Sequence, residues 1–465
     1  MEDKMREVPS KNTRCRLGVA RRDVTAPVGI YSRYWGAADN DVAEGVHKSS
    51  SVTAAVISPA NDADAPRLAL ISLDYCAFMP QADERALRGK ILERTGFDES
   101  ALLLNLSHCH TGANASSKRV DLPGGDRIPA YLKLLEDQTV DAIQEAEQTA
   151  SPAWITWGSG TCSLATNRDY WDAESEEWGT GFNPLGEQDQ TVLVGRVSSD
   201  DGSIRAILFN YACHPTTLAW DNNLLSPDYI GAAREVIERA FDAPAMFFQG
   251  ASGELGPRNG FVGDTEVADR NGRQLGYAVA EAVEGLPPAA TSFTFTGIVK
   301  SGAAVAAWEH RPMADDELSS ARHLQVEQST VDLPVKNIPS ADEIRGRLEG
   351  DLDRADEERL NRLLAIREDI GESDVYSMSL WVWRLGDAAI VAIPNEPYSL
   401  FQTALREKFP DHPMMVLGVT NGTLGYLCPA EFYGSGRYQD WQSPFKAGCL
   451  EQSIAGASAL LSRCY

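Results

Sequence analysis

The sequence lacks any long apolar run. Its first twenty residues contain no apolar stretch of the kind that forms a signal peptide. No segment elsewhere approaches the ~20 consecutive apolar residues that a transmembrane helix needs. We therefore expect a cytoplasmic protein without an integral membrane segment.

Positive charge is scarce. Lys and Arg together number 42 against 67 Asp and Glu, which gives a formal net charge of −25. A surface this acidic repels phosphate backbones and anionic lipid headgroups. The charge balance argues against a nucleic-acid partner and against electrostatic docking to a membrane.

The eight cysteines form no CxxC pair and are scattered along the chain. Several stand inside apolar, strand-like runs, as Cys76 does in LISLDYCAF. This placement is typical of buried free thiols in a protein of a reducing compartment. The cysteines predict neither a disulfide framework nor a structural zinc site.

Apolar strand-like runs alternate with helix-like segments through most of the chain, and 43% of the residues are hydrophobic. This pattern predicts an α/β fold with mixed β-sheet layers flanked by helices. No linker or repeat divides the chain, so we expect one large catalytic unit over residues 1–465. The clearest predicted strands are 52–58, 68–78, 101–107, 204–213, 245–250 and 388–394, and the clearest predicted helices are 80–94, 131–146, 228–241 and 266–283.

One segment, residues 340–369, is dense in charge. Ser340 and Glu343 have the spacing of a capping box, which predicts a helix start. We expect one long or kinked helix with a possible break at Gly350. The charge density favours a solvated surface arm, and the roles of lid and oligomer contact stay open, as does the oligomeric state.

Histidines follow two of the predicted strands. His108 and His110 form an HxH motif directly after 101–107, and His214 with Pro215 follows 204–213. If the first strand continues through the motif, its two imidazoles project to one face; if it ends, both stand at its C-terminal edge. Either arrangement brings imidazoles together, which favours a metal site.

A carboxylate occupies the same kind of position in the C-terminal part of the chain. Glu396 follows the predicted strand 388–394 and precedes Pro397. A carboxylate at a buried strand end is costly unless it is solvated, paired or bound to a metal. Beside the two histidine-bearing strands, Glu396 is the natural oxygen ligand.

Eight segments, taken in order, resemble the neutral (non-lysosomal, alkaline) ceramidase family, the zinc amidases that hydrolyse N-acylsphingosine. The most specific similarity is a pair of tyrosines twelve residues apart in the last segment, Tyr426 and Tyr438. In chain order the segments are LGVARRDVTAPVG, EGVHKSSSVTAAVI, LSHCHTG, TNRD, ACHPTTL, FQGASGELGPR, PNEPYSLF and NGTLGYLCPAEFYGSGRY.

The resemblance implies roles for seven residues. Zn²⁺ would be held by the positions that match the family's metal ligands, namely His108, His214, Glu396 and Tyr426. The other three match active-site positions. His110 would transfer a proton, Tyr438 would stabilise the oxyanion, and Arg168 would orient the substrate.

The sequence also departs from the family pattern. Gly256 occupies the position of a family serine once proposed as the nucleophile, and nearby Ser252 is no direct substitute. Cys109 replaces the threonine between the two histidines. The chain ends at Tyr465, so we expect neither the signal peptide nor the C-terminal immunoglobulin-like domain of the family's secreted members.

The resemblance implies a zinc-dependent, ceramidase-like hydrolase that cleaves an N-acyl amide with metal-activated water. Its partner would be a small-molecule or lipid N-acyl substrate. A zinc hydrolase of the same fold that acts on a soluble N-acyl compound or an ester is the first alternative. A non-catalytic binding protein that retains the zinc site is the second.

Overall fold

The computed structural model describes residues 6–60 and 66–465. Its strands, numbered β1 to β23 over these residues, are Glu7–Pro9, Lys11–Asp23, Gly45–Val46, Ser51–Pro59, Leu68–Leu73, Leu102–Leu106, Ser151–Thr161, Ala165–Asn167, Asp169–Asp172, Glu177–Thr180, Thr191–Ser198, Ile204–Tyr211, Leu224–Leu225, Ala245–Gln249, Leu255–Pro257, Thr291–Ser301, Ala303–Pro312, Leu324–Pro334, Val375–Leu385, Ala388–Ala392, Glu396–Pro397, Met414–Leu417 and Tyr426–Leu427. Its α-helices, α1 to α9, are Gln81–Thr95, Ile128–Gln148, Tyr229–Phe241, Thr265–Glu284, Ala341–Leu348, Arg354–Ile370, Leu400–Lys408, Tyr438–Gln442 and Cys449–Cys464.

Two sheets form the centre of the molecule. The larger has eight strands in the order β14-β12-β11-β7-β2-β4-β5-β6. Its pairs β12–β14 and β5–β6 are parallel, and its other pairs are antiparallel. The smaller sheet has four strands in the order β18-β19-β20-β22, with β20 and β22 parallel. Both sheets are therefore mixed.

The layers run helices, sheet, sheet, helices. A core between the sheets joins Leu70 and Phe248 of the larger sheet to Trp383 of the smaller. Helices α1 and α2 cover one half of the larger sheet's outer face, and α3 and α4 cover the other half. Helices α5, α6, α7 and α9 cover the smaller sheet. This architecture confirms the predicted α/β fold of mixed sheet layers flanked by helices.

Burial on both faces explains why the central strands read as continuous apolar runs. In β4, Ala54 and Val56 face α2, whereas Ala55 and Ile57 face the core between the sheets. Successive side chains alternate between these two cores, so both faces are lined mainly by apolar residues. Most predicted elements are present, with their ends displaced by up to three residues.

One predicted strand is too long. The apolar run 68–78 forms a strand only to Leu73, where β5 ends. Asp74 follows, and its buried carboxylate accepts hydrogen bonds from the Ser51 N–H and the Arg234 guanidinium. Satisfying this carboxylate takes the chain out of the sheet, although the residues that follow are still apolar.

The charged segment forms two helices rather than one. Helix α5 begins at the predicted capping box, in which Ser340 and Glu343 bond reciprocally. It ends at Leu348, and α6 begins at Arg354. The break surrounds Gly350, as the sequence predicts.

The larger sheet curls until its two edge strands meet. The side-chain oxygen of Asn105 on β6 accepts a hydrogen bond from the Gln249 N–H on β14 at 2.9 Å. The Asn105 amide also donates to Gly418 O, just after β22, at 2.7 Å. These bonds bring the ends of β6, β14 and β22 to one place, although they are far apart in sequence.

Two expectations from composition can be compared with the described part of the chain. No helix in it is long and apolar enough to cross a membrane. All eight cysteines lie in it, and each is buried and free, as predicted.

Candidate active site

His108 stands in a turn directly after β6. The strand ends at Leu106, and the His108 N–H donates to Tyr75 O at 2.9 Å. His108 has a φ of 64°, a left-handed conformation that is uncommon for a residue with a side chain and is concentrated at functional sites. The strand therefore does not continue through the HxH motif, and both histidines stand at its C-terminal edge.

His214 occupies the matching position after β12. Its N–H donates to Leu255 O at 2.9 Å, which holds the chain beside the loop after β14. Its Nδ1 donates to Ser252 O at 2.8 Å, and the Nδ1 of His108 donates to Cys76 O at 2.8 Å. Because a carbonyl oxygen only accepts, each Nδ1 carries a hydrogen. Nε2 is therefore the nitrogen that each ring directs at the site, and it offers a lone pair whenever the ring is neutral.

Both Nε2 atoms face the Glu396 carboxylate. The Nε2 atoms of His108 and His214 lie 3.1 Å apart, and Glu396 Oε2 is 3.2 Å from each. Short strands β21 and β23 pair Glu396 with Tyr426 in register. The Tyr426 hydroxyl is 3.3 Å from His214 Nε2. Four donor atoms from four strand ends thus surround one point.

The electrostatics of this cluster favour a cation beside Glu396. Burial, and after it the nearby Arg168, lower the pKa of His214 to about 3, so this imidazole is neutral. Burial also acts to lower the pKa of His108, but the Glu396 carboxylate holds it well above its usual value. A metal ion in place of the His108 proton would supply the positive charge that the Glu396 carboxylate favours at this point. Two neutral imidazoles and a carboxylate suit zinc, so the residues fit the predicted metal; the binding itself stays a prediction.

Tyr426 is a phenol in this environment. Burial raises its pKa well above the usual value, and the nearby Glu396 carboxylate raises it further. Arg168 opposes this shift and donates from Nη2 to the Tyr426 hydroxyl oxygen at 3.2 Å. The phenolate ligand that the family resemblance implies would therefore require the charge of the metal itself.

The remaining predicted residues surround the cluster. His110 Nε2 lies 3.4 Å from His108 Nε2, and burial together with His108 lowers the pKa of His110 well below its usual value. Arg168 donates from Nη2 to Gly253 O at 2.7 Å, which fixes its guanidinium. The rings of Tyr426 and Tyr438 are 5.6 Å apart. All seven residues predicted from the sequence lie together.

A cysteine also reaches the cluster. Among the described residues, Cys76, His108 and His110 form a second group whose ligand atoms lie close enough to share an ion. Cys76 Sγ, however, approaches His108 on its Nδ1 side, at 3.9 Å. That nitrogen is already engaged by Cys76 O, so the Glu396 group is better arranged. The sequence pattern had indicated only a buried thiol at Cys76.

His110, Arg168 and Tyr426 line a cavity of about 560 Å³. Directly behind them, His108 lies 3.4 Å from His110, His214 lies 3.3 Å from Tyr426, and Glu396 is 3.2 Å from both of these buried histidines. The whole cluster is called the floor of the cavity. Beside His110, one wall is aromatic, with Trp35, Trp220 and Phe261 in mutual ring contact. Helix α6 supplies another wall through Ala355, Glu358, Arg359 and Arg362. The prediction of a solvated arm is therefore wrong for this face of α6, because the helix packs over the site. No local signal in the sequence distinguished Arg362 from its charged neighbours.

Comparison with known families gives one match. The family model described as "Neutral/alkaline non-lysosomal ceramidase, N-terminal" matches residues 15–263, more than half of the chain. This match confirms the predicted resemblance. The matched range includes His108, His110, Arg168 and His214 but not Glu396 or the two tyrosines. No curated protein matches the sequence.

Two solved structures share the fold. A structure titled "Ceramidase complexed with C2" is 15% identical, with a TM-score of 0.69, over 98% of this chain and 76% of that one. The neutral ceramidase from Pseudomonas aeruginosa is 18% identical, with a TM-score of 0.68, over 98% of this chain and 75% of that one. These similarities extend the shared fold over nearly the whole chain.

Proposed function

Because the chain belongs to the neutral/alkaline non-lysosomal ceramidase family, we propose that it is a zinc-dependent amidohydrolase that cleaves the amide bond of an N-acyl amine. One observation carries the proposal. The Nε2 atoms of His108 and His214 and the Glu396 carboxylate converge within 3.2 Å, directly behind Tyr426, which lines a cavity. Both imidazoles are oriented for ligation by carbonyl groups that hold their Nδ1 hydrogens.

His108, His214, Glu396 and Tyr426 would hold the zinc ion. When bound, zinc supplies Lewis-acid polarisation of the carbonyl and lowers the pKa of water to the neutral range. Arg168 orients the Tyr426 hydroxyl through its 3.2 Å hydrogen bond and is itself anchored to Gly253 O.

Proton transfer is assigned to His110. Burial keeps its imidazole neutral at pH 7, so His110 can accept a proton on Nε2 from the attacking water and pass it to the leaving amine. The Tyr438 hydroxyl, which lines the same cavity, donates to the oxygen on which negative charge develops. The aromatic wall formed by Trp35, Trp220 and Phe261 keeps bulk water from the reacting amide.

A second candidate is hydrolysis of a soluble N-acyl compound or an ester by the same groups. The observation that favours it is the charged wall of α6, whose Arg359 and Arg362 line the cavity. Ceramide carries no formal charge that such a wall would recognise.

Metal analysis and a substrate panel test the proposal together. The purified protein should contain about one zinc per chain, should lose activity when zinc is removed, and should regain it when zinc is restored. The panel holds ceramide, N-acyl amines with short and long acyl chains, and the corresponding esters. Zinc without hydrolysis of any panel member would indicate a binding protein, and hydrolysis that survives zinc removal would refute the mechanism.

A further inference from the structure

The cavity differs in charge from the protein as a whole. The chain carries a net charge of −25. The cavity nevertheless is lined by three arginines, Arg168, Arg359 and Arg362, against two glutamates, Glu177 and Glu358. A positive wall inside an acidic protein favours a negatively charged ligand at that place.

Only one of these arginines is both largely buried and free to meet a ligand. Arg168 is engaged with Gly253 O and the Tyr426 hydroxyl. Arg359 lies over the Trp441 ring at 4.3 Å, and 54% of its side chain is exposed. The side chain of Arg362 is 20% exposed and lines the cavity.

The guanidinium of Arg362 has few close acceptors. It donates from Nη2 to Tyr34 O at 2.8 Å. Its next contacts are long, 3.4 Å from Nη1 to the Tyr438 hydroxyl and 3.4 Å from Nε to Glu358 Oε1. A guanidinium has five N–H donors and stays protonated in proteins. Most of its donors therefore lack a close partner within the described structure.

The Glu358 carboxylate is shared between Arg362 and a second arginine, Arg119. Arg119 Nη2 approaches both Glu358 oxygens, at 2.9 and 3.2 Å, closer than Arg362 does. One carboxylate thus serves two guanidinium groups, and one positive charge is left over at the cavity wall. Since a partly desolvated charge is costly without a partner, a ligand anion at this point would be stabilised.

The position of this charge suits the polar end of the substrate. Arg362 is the neighbour of Tyr438, which the proposed mechanism places at the reacting carbonyl. The aromatic wall of Trp35, Trp220 and Phe261 offers an apolar surface for an acyl chain. A substrate with an apolar acyl chain and an anionic amine portion matches both surfaces.

We propose that the substrate is an N-acyl amino acid and that Arg362 recognises its carboxylate. The planar fork of arginine matches a carboxylate with two parallel hydrogen bonds, which favours this anion over a hydroxyl group. The inference rests on the proposed amidohydrolase function and names the substrate class of that same site.

Two ligands that differ in one group test the inference. N-lauroylglycine and N-lauroylethanolamine share the acyl chain and the amide, but only the first carries a carboxylate. We expect the wild-type protein to bind N-lauroylglycine at least ~10-fold more tightly, in line with a charge-assisted hydrogen bond. Calorimetric titration measures this on the metal-free and the zinc-loaded protein, and turnover of both compounds gives kcat/KM.

Three variants separate recognition from helix anchoring. Arg362→Gln should lower the preference for N-lauroylglycine by about 10–100-fold, mainly through its Kd and KM, and Arg362→Lys should keep part of it. Arg354→Gln is the matched control. It breaks an ion pair between the start of α6 and Asp41 outside the cavity, so it should leave the preference intact. Melting temperatures show whether each variant is folded.

The outcomes distinguish the two proposals. If N-lauroylethanolamine and N-lauroylglycine are bound and cleaved equally well, or if Arg354→Gln changes the preference as much as Arg362→Gln, the inference is wrong while the amidohydrolase stands. If neither compound nor ceramide is cleaved but N-lauroylglycine binds through Arg362, recognition stands and the proposed function fails. Absence of both binding and cleavage overturns both. Should Arg362→Gln not fold, the wild-type comparison and Arg362→Lys still decide.

Discussion

The floor and the α6 wall of the cavity are held in place by different kinds of interaction. On the floor, His108 and His214 follow strands of the larger sheet, are almost fully buried, and are fixed by main-chain groups. The wall is one helix attached largely through side chains, including the Arg119–Glu358 and Arg354–Asp41 ion pairs. The floor therefore depends on the fold. In the wall, Ile366 and Ile370 anchor one side of α6 in the core over the smaller sheet, whereas the cavity side consists mainly of charged side chains that can be replaced.

This difference assigns the proposed catalytic groups to the floor and the choice of ligand to the α6 wall. Substitutions in α6 can alter which ligand fits without moving the groups that we assign to the metal, because those groups follow β6 and β12 or lie on the short strands β21 and β23, and none lies on α6. The partly exposed Arg354–Asp41 pair contributes little to stability, about 0–1 kcal/mol, so changing it is tolerated. The Arg119–Glu358 pair is largely buried, and removing one partner would leave an uncompensated charge. Substitutions on the floor should instead affect metal binding, activity and folding together.

The largest expected effect is that of removing a floor ligand. His214→Ala should remove zinc and activity together, with a loss beyond the ~10–100-fold that removal of a supporting partner costs. Elemental analysis and kcat/KM measure both. The control is His323→Ala, at an exposed histidine outside the cavity. A full zinc complement in His214→Ala would show that the site is wrongly assigned.

Substitution of the two tyrosines should impair different properties of the protein. Tyr426→Phe removes a proposed ligand and should weaken zinc affinity. Tyr438→Phe removes a proposed oxyanion donor, so zinc should remain while kcat falls by ~10²–10³. Zinc occupancy, kcat and melting temperature of both variants make the comparison. If both merely melt earlier and otherwise match the wild type, the paired assignment is wrong.

The third effect concerns Asn105, whose side chain joins the strands that hold the floor. Asn105→Ala removes the hydrogen bonds to the Gln249 N–H and to Gly418 O. Gly418 O keeps the Thr420 hydroxyl as a donor, whereas the buried Gln249 N–H loses the acceptor that the Asn105 side chain supplies. We expect a loss of at least about 2 kcal/mol in the free energy of unfolding and weaker zinc binding. Denaturant titration measures the first, with Asn361→Ala on the exposed face of α6 as the control. Equal stability of the two variants would contradict the contrast between floor and wall.

The fourth effect is small. Cys109→Ser and Ser252→Ala should each keep activity within ~10-fold of the wild type, since neither side chain is proposed as a nucleophile and His214 bonds the main-chain oxygen of Ser252. Steady-state kinetics and mass spectrometry after substrate mixing test this. Detection of an acyl group on either residue would overturn the mechanism.

The smallest effect should follow Gly256→Ser, which restores the serine of the family pattern. A Cβ at this position would lie 3.5 Å from Arg168 Cδ, an ordinary van der Waals contact. We expect an unchanged melting temperature and a kcat within ~3-fold of the wild type, because the added side chain meets no clash of the kind that causes large losses at buried positions. A large gain in kcat would show that the serine takes part in catalysis.

Strand ends could be located from the sequence because both faces of the central strands are buried. Such strands appear as continuous apolar runs, and a polar residue after them marks the point where the chain leaves the core. His108, His214 and Glu396 each follow such a run. The same rule placed the end of the strand at 68–78 too late. The residues after Asp74 are buried and apolar, but they do not belong to the strand.

The relation between distant segments could not be predicted in this way. Nothing near Asn105 in the sequence reveals that its side chain joins β6 to β14. Likewise, charge density in 340–369 predicted helices but not that one face of α6 would cover the cavity. Charged residues tolerate both water and a polar cavity, so their pattern does not identify their surroundings.

The α/β layering, the break near Gly350 and the residue types at the strand ends could be predicted from the amino-acid sequence, because periodicity, capping and strand-end polarity are local properties. The meeting of the two edges of the larger sheet is instead a property of the folded chain, and it brings the Nε2 atoms of His108 and His214 within 3.1 Å. The tertiary structure also decided that Arg362 faces the same cavity with an uncompensated charge. Both features depend on contacts between segments that are distant in sequence. The hydrophobic pattern indicates which residues of such segments are buried, but it does not indicate which residues they contact.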